Sequence, residues 1–177
     1  EPQPVELFEA VTEPPSRGTP FGARTVEMPV AGSMGFWEEV GDYCAVRQLA
    51  HGGAPMRWGP GRAIHGRYFP LSGMNLAFRP REWLLWSEFV DVSRFDDIWM
   101  GWLWQREAYR RGHCFNLGGA SPVRHARQSD VWRNLAVEAR HLEANETLWR
   151  RIATHPEGDY GSLIRLLPAD AGGADRP

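Results

Sequence analysis

Two adjacent carboxylates lie among large apolar side chains in the stretch FDDIWMGW, residues 95–102. Ionised carboxylates are rarely buried without a partner, because removing them from water costs several kcal/mol or more. Asp96 and Asp97 therefore have two interpretations. They cap the start of a helix, where free N–H groups and the helix dipole stabilise negative charge, or one of them faces a sugar-sized cleft walled by Trp99 and Trp102, in which aromatic faces cover the C–H surface of a sugar and carboxylates accept from its hydroxyls.

The composition limits the classes of function. Apolar residues make up 42% of the 177 residues and charged residues 24%, which is ordinary for a globular chain with one core. The net charge of −2 predicts no nucleic-acid surface, and no apolar run approaches the roughly 20 residues that a membrane-spanning helix needs. No signal peptide opens the chain, and its two cysteines show no disulfide or metal spacing, so the expected location is the cytoplasm.

All 20 basic residues are arginine. A site for phosphate or another anion would therefore use guanidinium groups, which stay charged and offer planar, bidentate donors. A GC-rich coding bias explains the same composition without any function.

The helices that would position the acids follow from apolar spacing. One helix is predicted from Asp96 to a C-cap at Gly112. A long amphipathic helix is predicted over 130–152, with Asp130 as its N-cap. A third is predicted near 81–89, after a proline at a helix-start position.

The remaining segments alternate between extended and irregular structure. Prolines predict that residues 1–35 are mostly irregular, with a short helix or strand at Val5–Val11. Residues 50–67 are predicted to form a flexible surface loop. An extended segment with a turn at Ser72-Gly73 is predicted over 68–78, and a short strand followed by a turn over 113–119.

This order of elements predicts a mixed α/β fold in which the first element of a nucleotide-binding βα unit is missing. One domain is expected over residues 1–167, followed by a disordered tail over 168–177. The chain begins at Glu1 without an initiator Met, so we expect it to be a truncation.

The segment YFPLSGMNLAF, residues 68–78, followed by RFDDIWMGW, residues 94–102, resembles the reversibly glycosylated polypeptides, the UDP-arabinopyranose mutase family. In that family FPMCGMNLAF precedes RYDDMWAGW. Residues 17–24, 35–49 and 124–135 match further family segments in the same order, which makes the resemblance specific. The resemblance implies the C-terminal portion of a GT-A-type nucleotide-diphospho-sugar transferase fold, with the N-terminal nucleotide-binding half absent.

The resemblance also implies roles for the acids and for two arginines. Asp97 would contact the sugar and steady positive charge at the anomeric carbon, while Asp96 would cap the helix or pair with Arg94; the reverse assignment is also open. Arg17 falls on the arginine that becomes glycosylated in the family, although a phosphate-binding or plain surface role is equally open. Arg24 would pair with the diphosphate.

Further site residues follow from the matched segments. His125 would complete the site of a divalent metal, usually Mn²⁺, most of whose ligands are expected in the absent N-terminal half. Gly73 would permit close backbone approach to a ligand, and Asn75 would bind sugar hydroxyls. Trp37 is either a pocket wall or a core residue. Arg79 stands where the family has Asp, which leaves the identity of the sugar open.

The implied function is that of a UDP-sugar enzyme, either a pyranose–furanose mutase or a glycosyltransferase, inactive as this chain alone and able to form homo- or hetero-oligomers. The alternative is a non-catalytic, sugar-binding partner subunit of such an enzyme.

Overall fold

The fold is known from a computed structural model that describes residues 2–10, 21–38, 43–52, 61–79, 95–119, 122–124 and 130–154. The helix predicted near 81–89 and the tail over 168–177 lie outside the described residues. The elements are β1 Gln3–Ala10, β2 Phe21–Met28, β3 Val30–Met34, α1 Ala45–His51, β4 Arg62–Ile64, a 3₁₀ turn Gly73–Asn75, β5 Leu76–Phe78, α2 Asp96–Arg110, β6 Cys114–Leu117 and α3 Val131–Thr154.

Four short strands form one mixed sheet in the order β4-β6-β3-β5. Its central strands β3 and β6 are parallel, whereas β5 pairs antiparallel with β3 and β4 pairs antiparallel with β6. The mixed α/β fold predicted from the sequence is therefore confirmed at this level.

The prediction that residues 1–35 are mostly irregular is wrong. Strands β1 and β2 pair antiparallel over eight residues each, and β3 follows directly in the sheet. A strand with a single partner uses the N–H groups of alternate residues only, so it tolerates Pro4. The hairpin packs at the start of β6, where Val5 and Met28 contact the buried Cys114, and burial raises the pKa of the Cys114 thiol.

Helix α2 covers one face of the sheet through Trp104. The Trp104 ring packs edge-on against Phe115 at 4.7 Å and against Phe78 at 5.5 Å between ring centroids. Gly32 makes room for it, since a Cβ there would lie 2.6 Å from Cη2 of Trp104. Burial of such an aromatic side chain stabilises the fold by roughly 2–3 kcal/mol.

Local signals gave the helix ends correctly. Helix α2 ends before Gly112, which has a φ of 71° and donates its N–H to the Tyr109 carbonyl at 3.0 Å. Asp130 caps α3, because its Oδ1 accepts from the N–H groups of Trp132 and Arg133 at 3.1 and 3.0 Å. No helix in the described ranges is both long and apolar enough to cross a membrane.

One stripe of α2 binds the extended segment 67–73 in register. We call it the α2 stripe; its members, spaced four residues apart, are Asp97, Gly101, Gln105 and Tyr109. Their partners, spaced two residues apart in the opposite direction, are Gly73, Leu71, Phe69 and Arg67. Four helical residues rise about 6 Å and two extended residues about 6.6 Å, so the two spacings match.

The members of the α2 stripe use different contacts. Gln105 is fully buried, and its side-chain amide makes two hydrogen bonds with the backbone of Phe69. It accepts from the Phe69 N–H at 3.0 Å and donates to the Phe69 carbonyl at 2.7 Å. The Tyr109 hydroxyl donates to the Arg67 carbonyl at 2.7 Å, and burial raises the pKa of this phenol. Gly101 touches Leu71, where an added Cβ would lie 2.7 Å from the leucine Cβ.

We predict that Gly101→Ala destabilises the protein by about 1–2 kcal/mol, because the clash with Leu71 outweighs the better helix propensity of alanine. Ala136→Gly, at an exposed position of α3, is the matched control and should also lose about 1 kcal/mol. Alanine is thus favoured at 136 and glycine at 101. Urea unfolding measures both, and a Gly101→Ala protein as stable as the parent would contradict the close packing of the segment on α2.

Candidate functional site

The carboxyl ends of β3 and β6 lie side by side, because the strands are parallel and Met34 pairs with Leu117. The antiparallel neighbours begin at this edge, where Arg62 pairs with Leu117 and Leu76 with Met34. Ligands of open α/β sheets bind outside the carboxyl ends of the strands. We call this region the carboxyl edge; it comprises residues 35–38, 61–62, 73–76 and 118–119, with Asp97 beside them.

Glycines let the backbone segments of the carboxyl edge approach closely. Gly35 lies against Asn75, where an added Cβ would come within 2.4 Å of the amide Nδ2. Gly118 has a φ of 78°, and a Cβ there would lie 2.6 Å from the Phe36 ring. Side chains at either position would push these segments apart, so the glycines fix the shape of the edge.

Asn75 joins the 3₁₀ turn to the end of β3. Its Nδ2 donates to the Phe36 carbonyl at 2.9 Å, and the Gly35 N–H donates to the Asn75 carbonyl at 2.9 Å. The amide of Asn75 thus has a structural role at the carboxyl edge, and its predicted contact with sugar hydroxyls stays a prediction.

Asp97 reaches the same turn from α2. Its Oδ2 accepts from the exposed Gly73 N–H at 2.9 Å, and its Oδ1 accepts from the Ile98 N–H at 2.8 Å. The half-buried Asp97 is therefore held in one orientation at the carboxyl edge.

The two acids have different surroundings. Asp96 and Asp97 project about 100° apart around the helix, so only one of them can face Gly73. In the described part of the chain the Asp96 carboxylate makes no hydrogen bond, and the N-cap residue Phe95 supplies no side-chain cap. The bond to backbone N–H groups that we expected of Asp96 is made by Asp97; Arg94, the expected ion partner, lies outside the described residues.

The predicted tryptophan wall is not formed. Trp99 is fully buried, with its Nε1 donating to Oδ1 of Asn145 at 3.1 Å, and Trp102 is 7% exposed. A ring without a free face cannot stack on a sugar, so Trp99 is a core residue. Trp99 faces α3, and Trp102 belongs to the same buried cluster as Leu148 and Ile152 of α3.

Trp37 is also buried, 5% exposed, beside the carboxyl edge. Its backbone bridges to Val123, and within the described ranges its Nε1–H has no acceptor. A buried donor left unpaired costs about 1–3 kcal/mol. Of the two interpretations of Trp37, its burial agrees with the core residue.

The described part of the structure does not place three of the predicted site residues at the carboxyl edge. Arg24 pairs with Leu7 in the β1–β2 hairpin, which packs on Cys114 at the other end of β6. Arg17 and His125 lie outside the described residues.

Sequence reasoning missed Gln105, Tyr109 and His141. The signal for the first two was their spacing of eight and twelve residues from Asp97, which places them on one face of a helix. His141 contacts the rings of Phe95 and Trp99 at 6.0 and 5.9 Å between centroids. No local pattern in α3 marked this contact, which depends on how two helices pack.

We predict that Asp97→Ala lowers the free energy of unfolding by about 1–2 kcal/mol, because two backbone N–H groups lose a charged acceptor. In a ¹H–¹⁵N NMR spectrum the Gly73 amide proton should move upfield and exchange faster with solvent. Asp96→Ala is the control and should leave the Gly73 amide unchanged. A Gly73 resonance that stays in place in Asp97→Ala would show that the contact does not form in solution.

Comparison with known proteins gives one consistent result. No protein-family model matches the chain. It is 30% identical over 132 residues to a protein of Pisum sativum named probable UDP-arabinopyranose mutase 1, 31% over 156 residues to probable UDP-arabinopyranose mutase 4 of Arabidopsis thaliana, and 32% over 136 residues to probable UDP-arabinopyranose mutase 1 of Solanum tuberosum.

These matches cover 69%, 75% and 69% of this chain but 35%, 38% and 35% of the three relatives. The chain thus spans little more than a third of the length of each. The described geometry agrees with this relationship, since Asp97 and Gly73 connect the two segments that carry the strongest resemblance. Over the matched part, the chain is similar to members of the UDP-arabinopyranose mutase family.

Proposed function

We propose that the chain forms the sugar-binding part of a UDP-sugar enzyme, either a pyranose–furanose mutase or a glycosyltransferase-like member of the same family. The names of the relatives support a UDP-sugar as the substrate. The observation that carries the proposal is the hydrogen bond between Asp97 and Gly73, because it fixes a carboxylate at the carboxyl edge of the sheet.

Asp97 is the proposed catalytic residue. Cleavage of the bond between the anomeric carbon and the diphosphate develops positive charge on the sugar. A carboxylate held in advance stabilises that charge without reorganising during the reaction. The two N–H donors of Gly73 and Ile98 supply this fixed orientation, and the proposed partner of the carboxylate is the sugar.

Two exposed arginines lie at the carboxyl edge and are candidates for binding the diphosphate. Arg62 begins β4 opposite Leu117, and Arg124 follows Val123, which bridges to Trp37. Guanidinium groups bind phosphate oxygens in bidentate fashion. We propose these two for the diphosphate. The hairpin that carries Arg24 packs at the other end of β6, so the role of Arg24, like the glycosylation of Arg17, rests on the resemblance alone.

The fold proposal is the C-terminal portion of a GT-A-type fold. The parallel pair β3 and β6, with its ligand-binding edge, supports this assignment. In the longer relatives the uridine-binding part would lie in the sequence that this chain does not match. The proposed location is the cytoplasm, with homo- or hetero-oligomers as the proposed assembly.

A divalent metal, Mn²⁺ by the resemblance, stays a prediction, because the resemblance places most of its ligands in the family's N-terminal half. Within the described ranges no group of three or more His, Cys, Asp or Glu side chains could hold a metal ion. His125 lies outside these ranges. We therefore assign no step of the reaction to a metal.

A second candidate is a non-catalytic, sugar-binding partner subunit. The two candidates differ in the role of Asp97. In the non-catalytic subunit, which would bind a UDP-sugar or the catalytic partner, substitution of Asp97 would leave the turnover of the enzyme unchanged.

We predict the outcome for a chimera in which this chain replaces the matched segment of the Pisum sativum relative. The chimera should interconvert UDP-arabinopyranose and its furanose form, measured by chromatography. Asp97→Asn should reduce kcat about 100-fold or more, because an amide cannot stabilise cationic charge. Asp96→Asn, the matched control, should keep most of its turnover.

Melting temperatures of both variants separate loss of activity from loss of fold. Near-normal turnover in Asp97→Asn would contradict the catalytic role and favour the partner subunit. Loss in Asp96→Asn alone would assign the catalytic role to the other acid.

A further inference from the structure

Phe95 has an unusual backbone conformation immediately before α2. Among the described residues it is the one non-glycine with a positive φ, 64°. Side chains other than glycine adopt this left-handed region rarely, since their Cβ crowds the following carbonyl. Such a conformation persists where surrounding contacts impose it.

The Phe95 ring contacts Trp99 of α2 and His141 of α3, and Asn145 of α3 in turn holds Trp99. The Phe95 ring stacks on Trp99 at 6.3 Å between centroids with an interplanar angle of 13°. His141 packs against both rings, at 6.0 and 5.9 Å, and Asn145 accepts the Trp99 indole N–H at 3.1 Å. His141 and Asn145 are one helical turn apart, so they act from the same face of α3.

The His141 ring is itself oriented by its own helix. Its Nδ1 lies 3.2 Å from the Val137 carbonyl. A carbonyl oxygen only accepts, so Nδ1 carries a proton, and this bond limits rotation of the ring. The surface that His141 presents to Phe95 and Trp99 is therefore fixed.

The start of α2 depends on the conformation of Phe95. The Phe95 carbonyl accepts the Trp99 N–H at 2.8 Å, which closes the first turn of the helix. Asp97 lies inside this turn, two residues before Trp99 and so about 160° from it around the helix, and accepts from the Gly73 N–H. A different conformation at Phe95 would rotate the turn and move the carboxylate away from Gly73.

We propose that His141 and Asn145 are positioning residues for Asp97. They hold the Phe95–Trp99 pair, and through it the first turn of α2, in the orientation in which the Asp97 carboxylate reaches the Gly73 N–H. The effect on catalysis rests on the proposed function, whereas the effect on the position of Asp97 does not.

The Gly73 amide resonance of the ¹⁵N-labelled chain tests the positioning directly. In His141→Ala and in Asn145→Ala the resonance should move toward its position in Asp97→Ala, and its solvent exchange should accelerate. His141→Phe keeps a ring against Phe95 and Trp99, so it should restore most of the parent shift. Ala136→Gly loosens α3 without touching these rings and serves as the matched control.

Kinetics of the chimera provide the second readout. His141→Ala should lower kcat about tenfold and leave KM within about twofold, because the carboxylate is misplaced while the rest of the site is retained. His141→Phe should recover most of this loss.

The NMR measurement tests the positioning of Asp97, and the kinetic measurement also tests the proposed function. A Gly73 amide that stays at its parent position in folded His141→Ala and Asn145→Ala overturns the positioning role. The positioning role is also overturned if Ala136→Gly shifts the Gly73 amide resonance as far as His141→Ala does. If the Gly73 amide resonance shifts in the variants of the labelled chain but the chimera shows no turnover, the positioning role is supported and the proposed function is contradicted.

Discussion

The register between helix α2 and the extended segment 67–73 is the constraint on which the candidate site depends. Side chains spaced four residues apart on the helix meet residues spaced two apart in the segment, because the two rises are nearly equal. Gln105 and Tyr109 bind the first part of the segment, and Gly101 admits Leu71. Asp97 is the last member of this series, so its contact with Gly73 follows from the packing of the whole stripe.

The register links the core to the carboxyl edge. The contact between Trp104 and Phe115 holds α2 on the sheet. The turn Gly73–Asn75 is bound to the end of β3 by the hydrogen bond from Asn75 to the Phe36 carbonyl. The carboxylate of Asp97 therefore lies between two rigid attachments. A preorganised charge of this kind is suited to a reaction that develops positive charge on a sugar, which is how the family relationship and the geometry support one another.

Much of this fold could be predicted where the signals are local. The ends of α2 and α3 follow from Gly112 and Asp130, whose conformation and hydrogen bonds act within one turn. The β1–β2 hairpin was not predicted, because its strands are stabilised by each other and by Cys114 rather than by their own sequence. Residues 50–67 were predicted to form a loop, but Arg62–Ile64 form strand β4, which is stabilised by its pairing with β6.

The candidate site was predicted in part. The resemblance identified Asp97 and Gly73, and the structure brings them together. One of the two interpretations of the paired acids placed Trp99 beside a sugar cleft, whereas α3 covers that ring and makes it part of the core. Whether a tryptophan faces a ligand or another helix depends on tertiary packing, which neither spacing nor composition records. His141 was missed for the same reason, since its contacts lie 46 and 42 residues away in sequence.

The most direct test of the account is a titration of the ¹⁵N-labelled chain with UDP-arabinopyranose, followed by NMR. If the carboxyl edge binds the sugar, the amides of Gly73, Ile98 and Gly118 should shift in a saturable manner, and Asp97→Asn should weaken the response. Saturable shifts confined to the β1–β2 hairpin, or equal responses from the parent and Asp97→Asn, would contradict the claim that this edge is the sugar site.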